Sequence, residues 1–75
     1  MNKQDCGFIY TQYRDKVFGF VRSKLFNRTE AEDVVQTVFL KVYGNLDKYD
    51  ETKASLSTWI YTITRNTVYD YLKEK

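Results

Sequence analysis

The sequence predicts an all-α fold, a small three-helix bundle. Three observations predict it. The 75 residues include no proline and three glycines, too few turn-formers for the many reversals of a β fold. Apolar residues make up 43% of the chain and aromatics 17%, enough for a packed core rather than a disordered segment. The apolar residues also recur three and four apart over long stretches, the period of a helix with one buried face. A chain of this length is one domain, able to bury only roughly 60% of its unfolded surface.

The first helix is expected over residues 3–26, with Ile9, Tyr13, Val17, Phe20, Val21 and Leu25 as its inward stripe. Gly19 within it costs roughly 1 kcal/mol relative to alanine, a cost explained if a neighbouring helix approaches there. Asn27 is expected to stop this helix in a left-handed conformation. The second helix, residues 29–43, opens on Thr29 and Glu32 at capping-box spacing, with Glu30, Glu32 and Asp33 near its positive end. Ala31, Val34, Val35, Val38, Phe39 and Val42 share one broad face, and Gly44 ends the helix. Residues 45–54 are polar and read as the one substantial loop, anchored by Leu46 and Tyr49 and holding a short extra helical turn. The third helix, residues 55–73, is capped by Ser55 or Ser57. Its stripe is Leu56, Trp59 or Ile60, Ile63, Thr67 or Val68, and Leu72. Trp59 is assigned to the core.

Several chemistries are excluded. With no histidine and the single cysteine Cys6, the chain has neither a His/Cys metal set nor a Cys–His nucleophile. A lone thiol fits a reducing compartment. Asp47, Asp50 and Glu51 share a loop but lack the alternating ligands, glycine and closing glutamate of an EF-hand. The carboxylates of residues 30–33 are explained by the helix end more simply than by acid–base catalysis. No cofactor is implied, and the chain is read as a non-enzyme. No apolar run approaches the ~18 residues of a membrane span and no signal peptide is recognisable, so a cytoplasmic location is expected.

The net charge of +2 is too small to mark a nucleic-acid binder by itself. Its distribution is more informative: residues 1–27 sum to +3, residues 28–51 to −3 and residues 52–75 to +2. An acidic middle between basic ends suits a domain with two different partners. The outward residues of the helices point the same way. On the second helix Asp33, Gln36, Thr37, Leu40 and Lys41 face away from the valine stripe, and Leu40 is a large aliphatic that the core does not need. Such a mixed patch suits a partner helix. On the third helix Tyr61, Arg65, Asn66, Tyr69 and Tyr71 interleave with the hydroxyls of Ser57, Thr58, Thr62 and Thr64. Helical tyrosines are commonly half-buried rim. Aromatic faces beside amides and cations are also what holds unstacked bases, at roughly 1–3 kcal/mol per stacked base.

Taken in order, Ala31-Glu32-Asp33, Gln36 and Phe39-Leu40, then Leu56, Trp59-Ile60, Ile63 and Arg65-Asn66, then Tyr69-Asp70-Tyr71-Leu72 form two spaced motifs. They resemble region 2 of bacterial sigma-70-family factors, specifically the extracytoplasmic-function (ECF) type, and the resemblance covers nearly the whole chain. It implies a helical bundle whose second helix docks on the β′ clamp coiled coil of RNA polymerase through Asp33, Gln36, Thr37 and Leu40. It also implies that the third helix and the loop before it hold an extruded base of the non-template −10 strand of promoter DNA. Asn66 would line that pocket from the helix and Tyr49 from the loop, with Lys53, Tyr61, Thr62 and Arg65 near the strand. An anti-sigma factor is a further implied partner. Thr62 stands where such factors often carry arginine and the loop is about a residue longer, so the resemblance does not specify the base. A complete factor of this type also has a helix-turn-helix domain, region 4, which these residues do not include; an isolated domain is therefore expected.

Energetics add a dependence on polymerase. Opening DNA costs on the order of 1.4 kcal/mol per stacked step, and a weakly charged domain gains little from counterion release. The alternative reading is an all-helical interaction module, anti-sigma- or adaptor-like, without a DNA role. A helix-turn-helix binder of duplex DNA ranks lower, because no short turn joins two helices in that arrangement.

Overall fold

A computed structural model describes residues 6–74. Three α-helices and one short 3-10 turn account for the architecture: α1 over Cys6–Lys24, α2 over Arg28–Gly44, the turn over Leu46–Lys48 and α3 over Leu56–Glu74. Residues 3–5, the expected first turn of helix 1, and the Cys6 side chain lie outside the described residues. Helix α2 runs antiparallel to α1. Tyr10 near the start of α1 meets Phe39 near the end of α2, with ring centroids 5.1 Å apart. Phe20 in α1 meets Tyr61 in α3 at 5.3 Å, and α1 and α3 lie side by side along a cleft lined from Tyr13 to Phe20 on one helix and from Ser57 to Thr64 on the other.

The core is built largely of small branched side chains. Ile9, Val17, Val21 and Leu25 come from the α1 side, Ile60 and Val68 from α3, and Ala31, Val34, Val35, Val38, Phe39 and Val42 from α2. Branched residues are mediocre helix formers, so tertiary burial stabilises these helices more than propensity does. All six α2 residues expected on the inward face are buried. Two threonines of α3 join them. Thr64 is 1% exposed and Thr67 5%, and their hydroxyls donate to the carbonyls of Ile60 and Ile63 at 2.8 and 2.7 Å. Each bond satisfies a hydroxyl locally, which is what permits its burial.

Several boundaries differ from expectation. Helix α1 ends at Lys24, and Asn27 is not a left-handed stop. Its backbone is extended (φ −79°, ψ 119°) and its side chain is the N-cap of α2, accepting from the Glu30 N–H at 3.0 Å. Asn27 and Glu30 have the same three-residue spacing as Thr29 and Glu32, and the earlier pair sets the start. The carbonyl of Phe26, just past α1, accepts instead from the Arg22 guanidinium at 2.9 Å. Gly44 is the last residue of α2 rather than its terminator. The cap is Asn45, whose side-chain amide donates to the Lys41 carbonyl at 2.8 Å. Gly19 makes no room for a neighbour, since a Cβ there would meet nothing within 4 Å. Leu72 is 41% exposed, because eleven residues beyond Ile60 the helical period turns Tyr71, not Leu72, toward the core. Thr64, expected outward, is buried for the same reason of phase.

Candidate functional site

The outward face of α2 is free of core duty. Asp33, Gln36, Thr37, Leu40 and Lys41 are all exposed, Leu40 by 69%, while the residues between them close the core. Thr37 returns its hydroxyl to the Asp33 carbonyl at 3.1 Å. Beside them α1 contributes a residue that the sequence reading missed: Tyr10 shares a shallow recess with Gln36, Phe39, Leu40 and Tyr43, and Arg14 lies 5.8 Å from its ring centroid. Tyr10 and Arg14, four apart and flanking the inward stripe, were the available signal. The recess is mostly apolar, with Gln36 as the polar side chain of its lining. An exposed aliphatic side chain ringed by polar groups is a composition found at protein interfaces.

Helix α3 presents a second face. Tyr61, Thr62, Arg65, Asn66 and Tyr69 are exposed, but they do not form one cluster. Tyr61 leans over α1, edge-on to Phe20, and lines the α1–α3 cleft with Ser57 and Lys16. Thr62 donates its hydroxyl to the Thr58 carbonyl at 3.0 Å, which leaves its methyl and the oxygen's lone pairs outward. Asn66 lies on the other flank of α3, in phase with Trp59, seven residues and about 10 Å along the axis.

The loop before α3 is well ordered by its own bonds. The 3-10 turn fulfils the expected short helical segment, and the Tyr49 N–H donates to the Leu46 carbonyl at 3.2 Å. Asp50 accepts from both the backbone N–H and the hydroxyl of Thr52, and its carbonyl accepts from the Lys53 N–H at 3.0 Å. The bonds from Thr52 hold the Asp50 carboxyl below its ordinary pKa. Ser55 caps α3, with the Thr58 N–H donating to its hydroxyl oxygen at 3.2 Å. Tyr49 is half-buried against Trp59, ring centroids 5.0 Å apart, and its hydroxyl donates to the Ala54 carbonyl at 2.8 Å. Desolvation, then the nearby Glu51 carboxylate, raises the Tyr49 pKa above its ordinary value. Trp59 packs against the core but is itself half-buried, at the edge of the stripe that Ile60 occupies. Lys53 is exposed. The structure thus brings Tyr49 to Trp59 and Ala54, with Asn66 two helical turns further along the same flank.

Among the described residues no group of three His, Cys, Asp or Glu could hold a metal ion, and no helix is long and apolar enough to cross a membrane. The fold is a three-helix bundle that presents two exposed polar faces, one on α2 and one on α3. Its family follows from comparison with known proteins: residues 9–75 match Sigma-70 region 2, and the chain belongs to that family, in its ECF type. It is 36% identical over 63 residues to the ECF RNA polymerase sigma factor SigW of Bacillus subtilis, covering 84% of this chain and 33% of that one. Against SigM of the same organism identity is 30% over 66 residues, covering 88% and 39%. The ECF factor RpoE of Cereibacter sphaeroides is 32% identical over 66 residues, covering 88% and 36%. The chain therefore spans between a third and two fifths of the length of these relatives. No solved structure matches it significantly.

Proposed function

We propose that this domain selects and helps to open the promoter −10 element for RNA polymerase, as region 2 of an alternative sigma factor, while docked on the β′ clamp coiled coil. The observation that carries the reading is family membership across residues 9–75 in a fold whose α2 face, Asp33, Gln36 and Leu40, is unused by the core. Leu40 enters the groove between the clamp helices, and Asp33 and Gln36 supply hydrogen-bonding partners at its margin. Polymerase contributes most of the energy of DNA opening, since a bubble of several steps at about 1.4 kcal/mol each exceeds the capture of one or two bases. The α3 face then chooses sequence. Asn66 offers an amide to a base edge, while Lys53 and Arg65 neutralise the strand's phosphates without reading sequence.

The test assembles the chain with polymerase core and measures oligonucleotide binding with each of the four bases at every −10 position. Asn66→Ala is expected to lose about 1–3 kcal/mol of discrimination at one position. Asp33→Lys is expected to weaken binding to the isolated clamp coiled coil. If Asn66→Ala keeps the wild-type preference throughout, base reading lies elsewhere. Unchanged affinity in Asp33→Lys removes the docking assignment.

A further inference from the structure

We infer that Tyr49 is a positioning residue: it latches the loop of residues 45–54 closed against α3, and influences base choice through the loop's shape rather than by stacking on a base. The base-choice part rests on the proposed promoter role. The latch itself does not.

The loop makes two successive reversals with Tyr49 at the joint. Before it, the Lys48 N–H donates to the Asn45 carbonyl at 2.9 Å and the Tyr49 N–H to Leu46. After it, Asp50 collects the Thr52 bonds and the Lys53 N–H. These bonds each span a few residues and fix each reversal separately. What ties the second reversal to the first is the Tyr49 side chain, whose hydroxyl reaches the Ala54 carbonyl five residues on. Ala54 immediately precedes the α3 cap Ser55, so the same bond also sets the angle at which the chain enters α3. The ring meanwhile rests on Trp59, one turn into that helix.

The two roles open to Tyr49 make opposite demands on its hydroxyl. A ring that stacks on a base needs only its π-face, and phenylalanine supplies one equally well. A latch needs the O–H, because only a donor can bond the Ala54 carbonyl and phenylalanine has none. The observed geometry meets the second demand, with a 2.8 Å bond made by a phenol whose ring already has an aromatic partner.

Three variants separate these roles: Tyr49→Phe, Tyr49→Leu and Asn66→Ala. In the free chain, amide hydrogen exchange of Lys53 and Ala54 reports loop opening, while the amides of Phe39 and Val42 report the bundle. Tyr49→Phe is expected to speed exchange at Lys53 and Ala54 about three- to tenfold, the usual effect of one net hydrogen bond, with the bundle amides unchanged. In complex with polymerase core, the same variant is expected to flatten the preference at the position that Asn66→Ala affects. Should Tyr49→Phe match wild type in both measurements while Tyr49→Leu fails, the ring acts by stacking and the latch is overturned. Faster exchange with base preference intact, in a series where Asn66→Ala does lose preference, overturns the positioning role. If Asn66→Ala also keeps its preference, the promoter reading has failed, and the exchange data still decide the latch.

Discussion

Helices α2 and α3 divide their surfaces differently. In α2 the division is binary: six buried residues, all apolar, against an outward set of charge, amide, hydroxyl and one leucine. In α3 the same residue type appears on both sides. Thr64 and Thr67 are buried while Thr58 and Thr62 are exposed, and Thr62, Thr64 and Thr67 each bond the carbonyl four residues back. A helical threonine can close its own hydroxyl in this way and then pass as either a methyl or a polar group. An outward face is easily read when the core beneath it is purely apolar. A helix that shares threonine between core and surface hides its boundary.

That contrast can be tested at graded cost. Phe39→Ala removes the largest side chain of the α2 stripe and is expected to destabilise the domain by about 3–5 kcal/mol, most of what a chain this size has. Urea denaturation measures it, and a loss below about 1 kcal/mol would mean that the stripe is not the core's main support. In α3, Thr64→Val keeps the shape and removes a hydroxyl whose loss leaves no backbone group unpaired, because the Ile60 carbonyl retains its helical bond. Stability should fall by about 0.5–1.5 kcal/mol, the net worth of one hydrogen bond, whereas Thr62→Val on the exposed side should change it by less than about 0.5 kcal/mol. Equal responses at the two sites would erase the distinction between a buried and a surface threonine. The smallest effect belongs to Leu40→Ala. Its 69% exposure places the expected stability change within about 0.5 kcal/mol, and a shift in melting temperature of more than a few degrees would make it a packing residue after all.

The bundle itself was legible from period alone, and so was every buried residue of α2, because valines three and four apart have no other explanation. The helix starts were less so. Two overlapping cap signatures, Asn27 with Glu30 and Thr29 with Glu32, are equivalent in the sequence, and only the path of residues 25–27 chooses between them. Gly19 shows the limit of reading glycine as a close approach, since its Cβ position faces open space. Along α3 the phase drifted: a stripe placed on Leu72 belongs on Tyr71, an error of one residue that accumulates over three turns. Among the candidate site residues, exposure of Asp33, Gln36, Leu40 and Asn66 was foreseeable, but Tyr49's engagement with Trp59 and Ala54 was not. A side-chain bond across a loop leaves no periodic trace.

The connection between α1 and α2 is three residues long, with Leu25 buried, Phe26 outside and Asn27 capping the next helix. Closing so short a loop costs little chain entropy, so the α1–α2 hairpin can assemble from neighbouring sequence alone. Helix α3 packs on its sequence neighbour α2 as well as on α1, across a connection of eleven residues. Both sequence-adjacent pairings are therefore local. Topologies of this local kind reach their native state within microseconds to milliseconds, which leaves the chain's apolar stripes exposed to solvent only briefly before they find one another.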